Sequence, residues 1–321
     1  MATDYSSLID AETWVFIERT NSFYPPDTID YTIADQRRVY DAMCREFFAG
    51  YPDGVSVEDS SIETQTHGIP IRVYRPGNSD TAAMVLYFHG GGFILGGLDS
   101  HDDVCAELCA RTGYDVVSVD YRLVPEHVHP AAFDDAMAAF EWAAATYRCP
   151  ILLAGDSAGG NLAAAVAHHV RAHPRAPIGQ ILIYPGLGGD TTKGSYVTHA
   201  DAPMLTMRDL VFYKDIRTGG ADVTNDVSYM PMCDPDFSSL PATAIFTAEC
   251  DPLSSDGEAY RDRVLAAGGK AYSVEEKGLV HGYLRARHTV GRARDSFTRI
   301  VEATRALGKG NWPYEEMASR S

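Results

Sequence analysis

From Ala82 onward, short apolar runs alternate with longer alanine- and charge-bearing runs, and few architectures accept that pattern. "AMVLYFHG", "DVVSVDY", "ILLAGDS", "IGQILIYPG" and "ATAIFTAECD" have strand composition. Between and after them lie "HDDVCAELCARTG", "PAAFDDAMAAFEWAAATY", "AGGNLAAAVAHHVRAH" and "DGEAYRDRVLAAGG", then "KAYSVEEKG" and a final helix near "RARDSFTRIVEATRALG". Strands apolar on both faces and separated by helices predict a mostly parallel sheet covered on both sides. Upstream, "SVEDSSIETQTHGIPIRVYRPG" reads as two strands turning at His67-Gly68, an antiparallel edge hairpin. The expectation is one α/β domain over residues 1–321. Residues 1–50 and the insertion at 187–238 fall outside the alternation. An insertion that long is usually a functional cover, so the two are expected to form a helical cap.

Lys and Arg number 27 against 44 Asp and Glu, a formal net charge of −17. That balance disfavours nucleic acid and anionic membranes as partners. "MATDYSSLIDAETWV" has no basic or apolar leader region, and no apolar run approaches the ~18 residues of a membrane span. A cytoplasmic protein, monomer or homodimer, is expected. The six cysteines show no C-x-x-C spacing and are expected as free thiols.

Ser157 closes "ILLAGDS" at a predicted strand-to-helix corner, between Gly155 and Gly159. Such a corner strains its central residue and lifts the side chain into the open, toward the free N–H groups of the next helix. G-x-S-x-G alone is a short motif, and a tight turn with an idle serine is the plain alternative. A second signal is independent. "AMVLYFHGGGF" ends a strand in His89-Gly90-Gly91-Gly92, and three adjacent glycines cost chain entropy unless backbone must approach something closely. Backbone N–H groups of Gly90, Gly91 and Ala158 are the candidate donors for a developing oxyanion. His89, Gly92, Asp156 and Gly159 are supporting candidates. A phosphate loop is disfavoured because no Lys-[Ser/Thr] follows the glycines.

A serine nucleophile needs a base, and the base needs a carboxylate. His281, in "GLVHGY", follows a strand by a short loop, whereas His288 sits among Arg285, Arg287 and Arg292 and reads as part of a solvated basic face. Asp251 ends "ATAIFTAECD" with Pro252 behind it, while Glu249 should lie within the pleat. The order Ser157, Asp251, His281 is that of α/β-hydrolases. His168, His169 and His173 form H-H-x-x-x-H without the glutamate of a zinc-protease helix, and "HVH" at His127–His129 is equally plain. Neither is expected to bind metal, and the chemistry asks for no cofactor.

Taken together, "HGGGF", "DYRLVPEHVHPAAFDDAMAA", "GDSAGGNLA", "DPL" and "HGY" closely resemble the hormone-sensitive-lipase-like branch of the α/β-hydrolases, over about residues 65–305. "HGGGFILGGLDSHD" resembles its small acetyl esterases. The resemblance implies a capped serine carboxylesterase of the α/β-hydrolase fold, with Ser157 as nucleophile, His281 as base, Asp251 as orienting acid, and Gly90, Gly91 and Ala158 as oxyanion donors. It also implies that His89, Asp120–Arg122 and Glu126 tie loops together. Two positions depart from the branch. Ser255 stands where relatives carry a second acid, which questions the support of Asp251, and Tyr283 stands where many have Phe, which suggests a phenol near the site. Small-molecule esters with short acyl chains are the expected substrates. The same triad also serves amidases, lactonases and carbohydrate deacetylases. A non-catalytic receptor is the distant alternative, disfavoured because His281 is present. A lipase acting on fat droplets is disfavoured by the acidic chain and by the lack of an exposed apolar lid helix.

Overall fold

The computed structural model describes residues 3–25, 28–77 and 81–314. Residues 1–2 and 26–27 of the expected cap, and 78–80 and 315–321 of the expected domain, lie outside the described residues. The hairpin strands β1 (Val55–Glu63) and β2 (Gly68–Pro76) pair antiparallel and place Ile62 opposite Ile69. Next come β3 (Met84–Phe88), β4 (Asp115–Val119), β5 (Ile151–Asp156), β6 (Gly179–Ile183), β7 (Ala242–Cys250) and β8 (Ala271–Val280). The eight strands form one sheet in the order β1-β2-β4-β3-β5-β6-β7-β8, parallel from β4 through β8. Every residue of β3, β4, β5 and β6 is buried, as two-sided coverage demands.

The helices are α1 (Ala11–Asn21), α2 (Ile33–Glu46), α3 (Asp102–Thr112), α4 (Ala131–Thr146), α5 (Ala158–Val170), α6 (Ser195–Thr198), α7 (Met207–Thr218), α8 (Ser254–Ala266) and α9 (Gly291–Gly308). Side chains of α2, α4, α5 and α8 share one core with the sheet, and those of α1, α3 and α9 share the other. Local chemistry sets the helix starts around the site. Asp10 and Thr32 accept the N–H groups of Thr13 and Asp35, and Thr206 with Asp209 makes a reciprocal cap at α7.

One charge assignment needs correction. Only part of the run around His288 is solvated: His288 and Arg292 are exposed, whereas Arg285 and Arg287 turn inward. Arg287 is only 2% exposed, with its guanidinium 2.7 Å from Asp103 and 2.8 Å from Glu107, so it pins the loop before α9 to α3. Arg285 turns toward the cavity described below. The run of arginines suggested solvent, but carboxylates on another element make burial tolerable. All six cysteines are free thiols.

Among the described glycines, the closest approach to other backbone lies between the first turn of α5 and the end of β3. A Cβ on Gly159 would overlap the carbonyl oxygen of Phe88. Gly159→Ala is therefore expected to cost about 3 kcal/mol or more, or to prevent folding. Urea unfolding of the purified variant measures it.

Candidate active site

Ser157 joins β5 to α5 with φ 54° and ψ −117°, a backbone conformation that only local constraint keeps populated in a non-glycine residue. Two bonds hold it there: its N–H donates to Ile183 of β6 at 2.8 Å, and its carbonyl accepts from Asn161 at 3.0 Å. The glycines expected to make room do so, because a Cβ on Gly155 would overlap Gly159 in turn. The Ser157 hydroxyl donates to Nε2 of His281 at 2.8 Å, and Nδ1–H of that ring donates to Asp251 Oδ2 at 2.7 Å. The proton on Nδ1 is assigned from its carboxylate partner. Asp251 is fully buried, and its second oxygen accepts the N–H of Leu253 at 2.9 Å. His281 follows β8 in a loop that turns through Gly282 at φ 78°, and its ring packs at 4.8 Å on Tyr184. The residues predicted from sequence as nucleophile, base and acid thus lie in one hydrogen-bonded line. Glu249 stays in β7, accepting from Gly278 and Lys277, as expected of a residue in the pleat.

The glycine run departs from expectation at Gly90. Its N–H donates to Asp156 Oδ1 at 2.9 Å, so it has no donor left for a substrate. Gly91, at φ 129°, and Gly92, at φ 62°, line the cavity instead, together with Ala158. As the first residue of α5, Ala158 has no partner for its N–H inside the helix. The physical reason for the shift is Asp156. It is buried beneath the corner and takes bonds from Gly90, from the Tyr87 hydroxyl at 2.8 Å, from His101 Nε2 at 3.1 Å and from Tyr184 at 3.3 Å. Burial alone would push this carboxyl up. The adjacent His101 and its hydrogen bond, with Arg285 and Tyr87, outweigh burial and hold the carboxyl well below the usual range.

His89 supports the same loop. Its Nδ1–H donates to the Gly90 carbonyl at 2.8 Å, and its ring stacks on Tyr121 at 4.3 Å, whose hydroxyl donates back to His89 O. Burial, with the nearby His101, pushes His89 down to about 4, so its ring is neutral at physiological pH. Arg122 and Asp135 pair nearby, and Arg37 of α2 forks onto Glu126 and donates to Ile94 O and Val124 O.

Both departures from the hydrolase branch resolve away from the reacting atoms. Ser255 exchanges two hydrogen bonds with Ser195 of α6, and Asp256 accepts from Leu187 and Tyr196. Support for Asp251 comes from Leu253 N–H, and the missing acid is not needed for it. Tyr283 does not put a phenol in the cavity. It is fully buried, accepts from Ser296 Oγ at 2.8 Å, and meets the edge of Tyr184. It steadies Tyr184, which in turn backs His281.

His168, His169 and His173 have separate partners: Asp234 and Tyr260 for the first, the Ala165 carbonyl for the second, and the Arg175 N–H for the third. His129 pairs with Asp226. Among the described residues no group of His, Cys, Asp and Glu could hold a metal ion, and no helix is long and apolar enough to cross a membrane. Sequence reasoning missed His101, Tyr184, Arg217 and Arg285. The only signal for His101 was its place in "DSHD", and the others carried none.

A cavity of about 520 Å³ opens over Ser157 and His281. Its walls come from α1, α2 and α7 as well as the sheet, including Tyr24, Tyr40, Leu210 and Tyr213. A hydroxyl hydrogen-bonded to an imidazole, in a cavity lined by backbone N–H donors, can attack a carbonyl and hold the charge that results.

The sheet order and the serine corner define an α/β hydrolase. A family model described as the alpha/beta hydrolase fold matches residues 85–285, and the chain belongs to that family, in its hormone-sensitive-lipase-like branch. Esterase LipI of Mycobacterium tuberculosis is 37% identical over 265 residues, 79% of this chain and 83% of that protein. Ethyl acetate hydrolase of Pseudomonas putida is 33% identical over 268 residues, again 79% and 83%. The solved hyperthermophilic esterase of the archaeon Pyrobaculum calidifontis matches with a TM-score of 0.87 at 30% identity, over 94% of this chain and 99% of that one.

Asp156→Asn tests the support beneath the corner. The variant is expected to lose about 3 kcal/mol at neutral pH, since it removes the charged acceptor that the Gly90, Tyr87 and His101 donors surround. A carboxyl held below its unfolded value of about 4 stabilises above that pH and loses this contribution as pH falls. The gap between wild type and variant should therefore narrow as unfolding is measured from about pH 4 downward.

Proposed function

We propose that this carboxylic-ester hydrolase works through an acyl-enzyme formed on Ser157. The observation that carries the proposal is the continuous line from Ser157 Oγ through His281 to Asp251, at 2.8 and 2.7 Å. Ser157 attacks the ester carbonyl carbon while His281 Nε2 takes the hydroxyl proton, and Asp251 holds the ring and stabilises the imidazolium. Negative charge gathers on the carbonyl oxygen and is met by the N–H groups of Gly91, Gly92 and Ala158, each donor contributing about 3 kcal/mol. Gly92 takes the place first given to Gly90. His281 then protonates the departing alkoxide, a water attacks the acyl-enzyme with His281 again as base, and the acid leaves. No step calls on a metal or an organic cofactor.

The names of the similar proteins support esters as substrates, and the likeness to a protein named ethyl acetate hydrolase supports a short acyl chain. Residues 1–50 and 187–238 act as a cap. The side chains that α1, α2 and α7 contribute to the cavity wall support this role.

Ser157→Ala is expected to lower hydrolysis of 4-nitrophenyl acetate by about 10³-fold or more, with an unchanged circular dichroism spectrum. Retained turnover would refute the assignment. A panel adding an anilide, a lactone and an acetylated sugar should give its highest kcat/KM on the ester.

A further inference from the structure

Arg217 lies on α7 with its guanidinium carbon 3.5 Å from the ring centre of Phe93 and 4.1 Å from that of Tyr229. Two aromatic rings thus flank the cation, and a guanidinium packed on rings keeps its N–H groups available for hydrogen bonds. The residue is 6% exposed, and it borders the cavity that contains Ser157. Its one side-chain hydrogen bond among the described residues runs from Nη2 to Asn161 Oδ1 at 3.1 Å. Among the described residues no carboxylate pairs with it. Asp226, the acid whose charge it feels, is taken by His129 and Ser228.

The chain treats its other deeply buried guanidinium differently, since Arg287 lies against two carboxylates. A buried charge without a counter-ion is costly, and ring stacking recovers only part of that cost. Burial pushes Arg217 down to about 10, which leaves it charged at neutral pH. In a chain of net charge −17, a cation on the wall of the reaction cavity serves local recognition better than long-range attraction, and Lys214 and Arg285 border the same cavity. The remaining donors of a guanidinium match a carboxylate edge-on, with two parallel hydrogen bonds.

Position narrows the ligand further. Phe93 directly follows the Gly91-Gly92 donors, and Asn161 is one turn along α5 from Ser157, on the order of 6 Å of helix rise. We infer that Arg217 selects esters that carry a carboxylate a few bonds from the scissile carbonyl, as in the half-ester of a short dicarboxylic acid. This inference rests on the proposed esterase activity and adds the substrate class.

Two matched ester pairs test it: mono-4-nitrophenyl glutarate against its methyl ester, with the anion on the acyl side, and 4-acetoxybenzoate against its methyl ester, with the anion on the alcohol side. Wild type is expected to favour the anionic member of one pair by about tenfold or more in kcat/KM, carried by KM, the size of one charge-assisted contact. Arg217→Met should erase that ratio. Arg217→Lys, which keeps charge without the fork, should retain part of it and serves if the methionine variant does not fold. The ratio is internal to each variant, so a loss common to both esters does not enter it. No anionic preference in either pair, or a preference that survives Arg217→Met, overturns the inference.

If no ester is turned over, including 4-nitrophenyl acetate, the esterase proposal fails instead. Calorimetry then decides the anchor separately, with Ser157→Ala protein titrated with each glutarate and acetoxybenzoate ester. Tighter binding of an anionic member by about tenfold, abolished by adding Arg217→Met, supports the anchor. Equal binding of charged and neutral members overturns it.

Discussion

Two stretches of backbone meet beneath the site with no side chain between them. The first turn of α5 lies against the last residues of β3, so that a Cβ on Gly159 would overlap Phe88 O and also crowd His89 O. Because these backbones touch, the chain leaving β5 must turn sharply at Ser157, and φ 54° is the result. The glycine run begins two residues after Phe88. One contact therefore fixes the hydroxyl, the N–H of Ala158 and the loop carrying Gly91 and Gly92 as a single rigid unit. Preorganisation of this kind is what makes backbone dipoles effective, since nothing needs to rearrange as charge develops.

Rigid backbone alone would leave the loop free to peel away from the corner, and Asp156 prevents that. Its carboxylate is buried, which is costly unless donors replace water. It finds them in Gly90, Tyr87, His101 and Tyr184, drawn from β3, the start of α3 and the end of β6. The same bond that spends the Gly90 N–H anchors the run at the point where Gly91 and Gly92 line the cavity. Asp251 follows a similar logic with fewer partners, one N–H and one imidazole. His89 lies near Asp156 as a neutral ring, and so adds a hydrogen bond and a stacking surface without adding charge.

Much of this was written locally and could be read from sequence. The strand and helix alternation depends on residue type over short windows, and the sheet follows it closely. Ser157, Asp251 and His281 stand at strand ends, where a parallel sheet gathers ligands, and the last of them along the chain, His281, comes to lie between the other two. Other features depended on partners far away in the chain. Nothing near Gly90 says that Asp156, 66 residues on, will claim its N–H. Tyr283 was expected to bring a phenol near the site because it stands where many relatives have Phe after His-Gly, yet in the short helical turn that starts there its side chain points into the core toward Ser296.

The cavity wall shows the same limit most clearly. The turn from β5 into α5 is constrained by backbone contact, and so its sequence is restricted to small residues. The wall contributed by α1, α2 and α7 is constrained only by what it encloses. Arg217 and Arg287 are the same residue type, both buried in the last turn of a helix or the loop before one. One is matched by Asp103 and Glu107, and the other by two aromatic rings and an amide. No propensity or periodicity separates them, because the difference lies wholly in which elements come to face them. A fold can therefore keep its reacting groups legible while the residues that choose the substrate become visible only when the surrounding elements are in place.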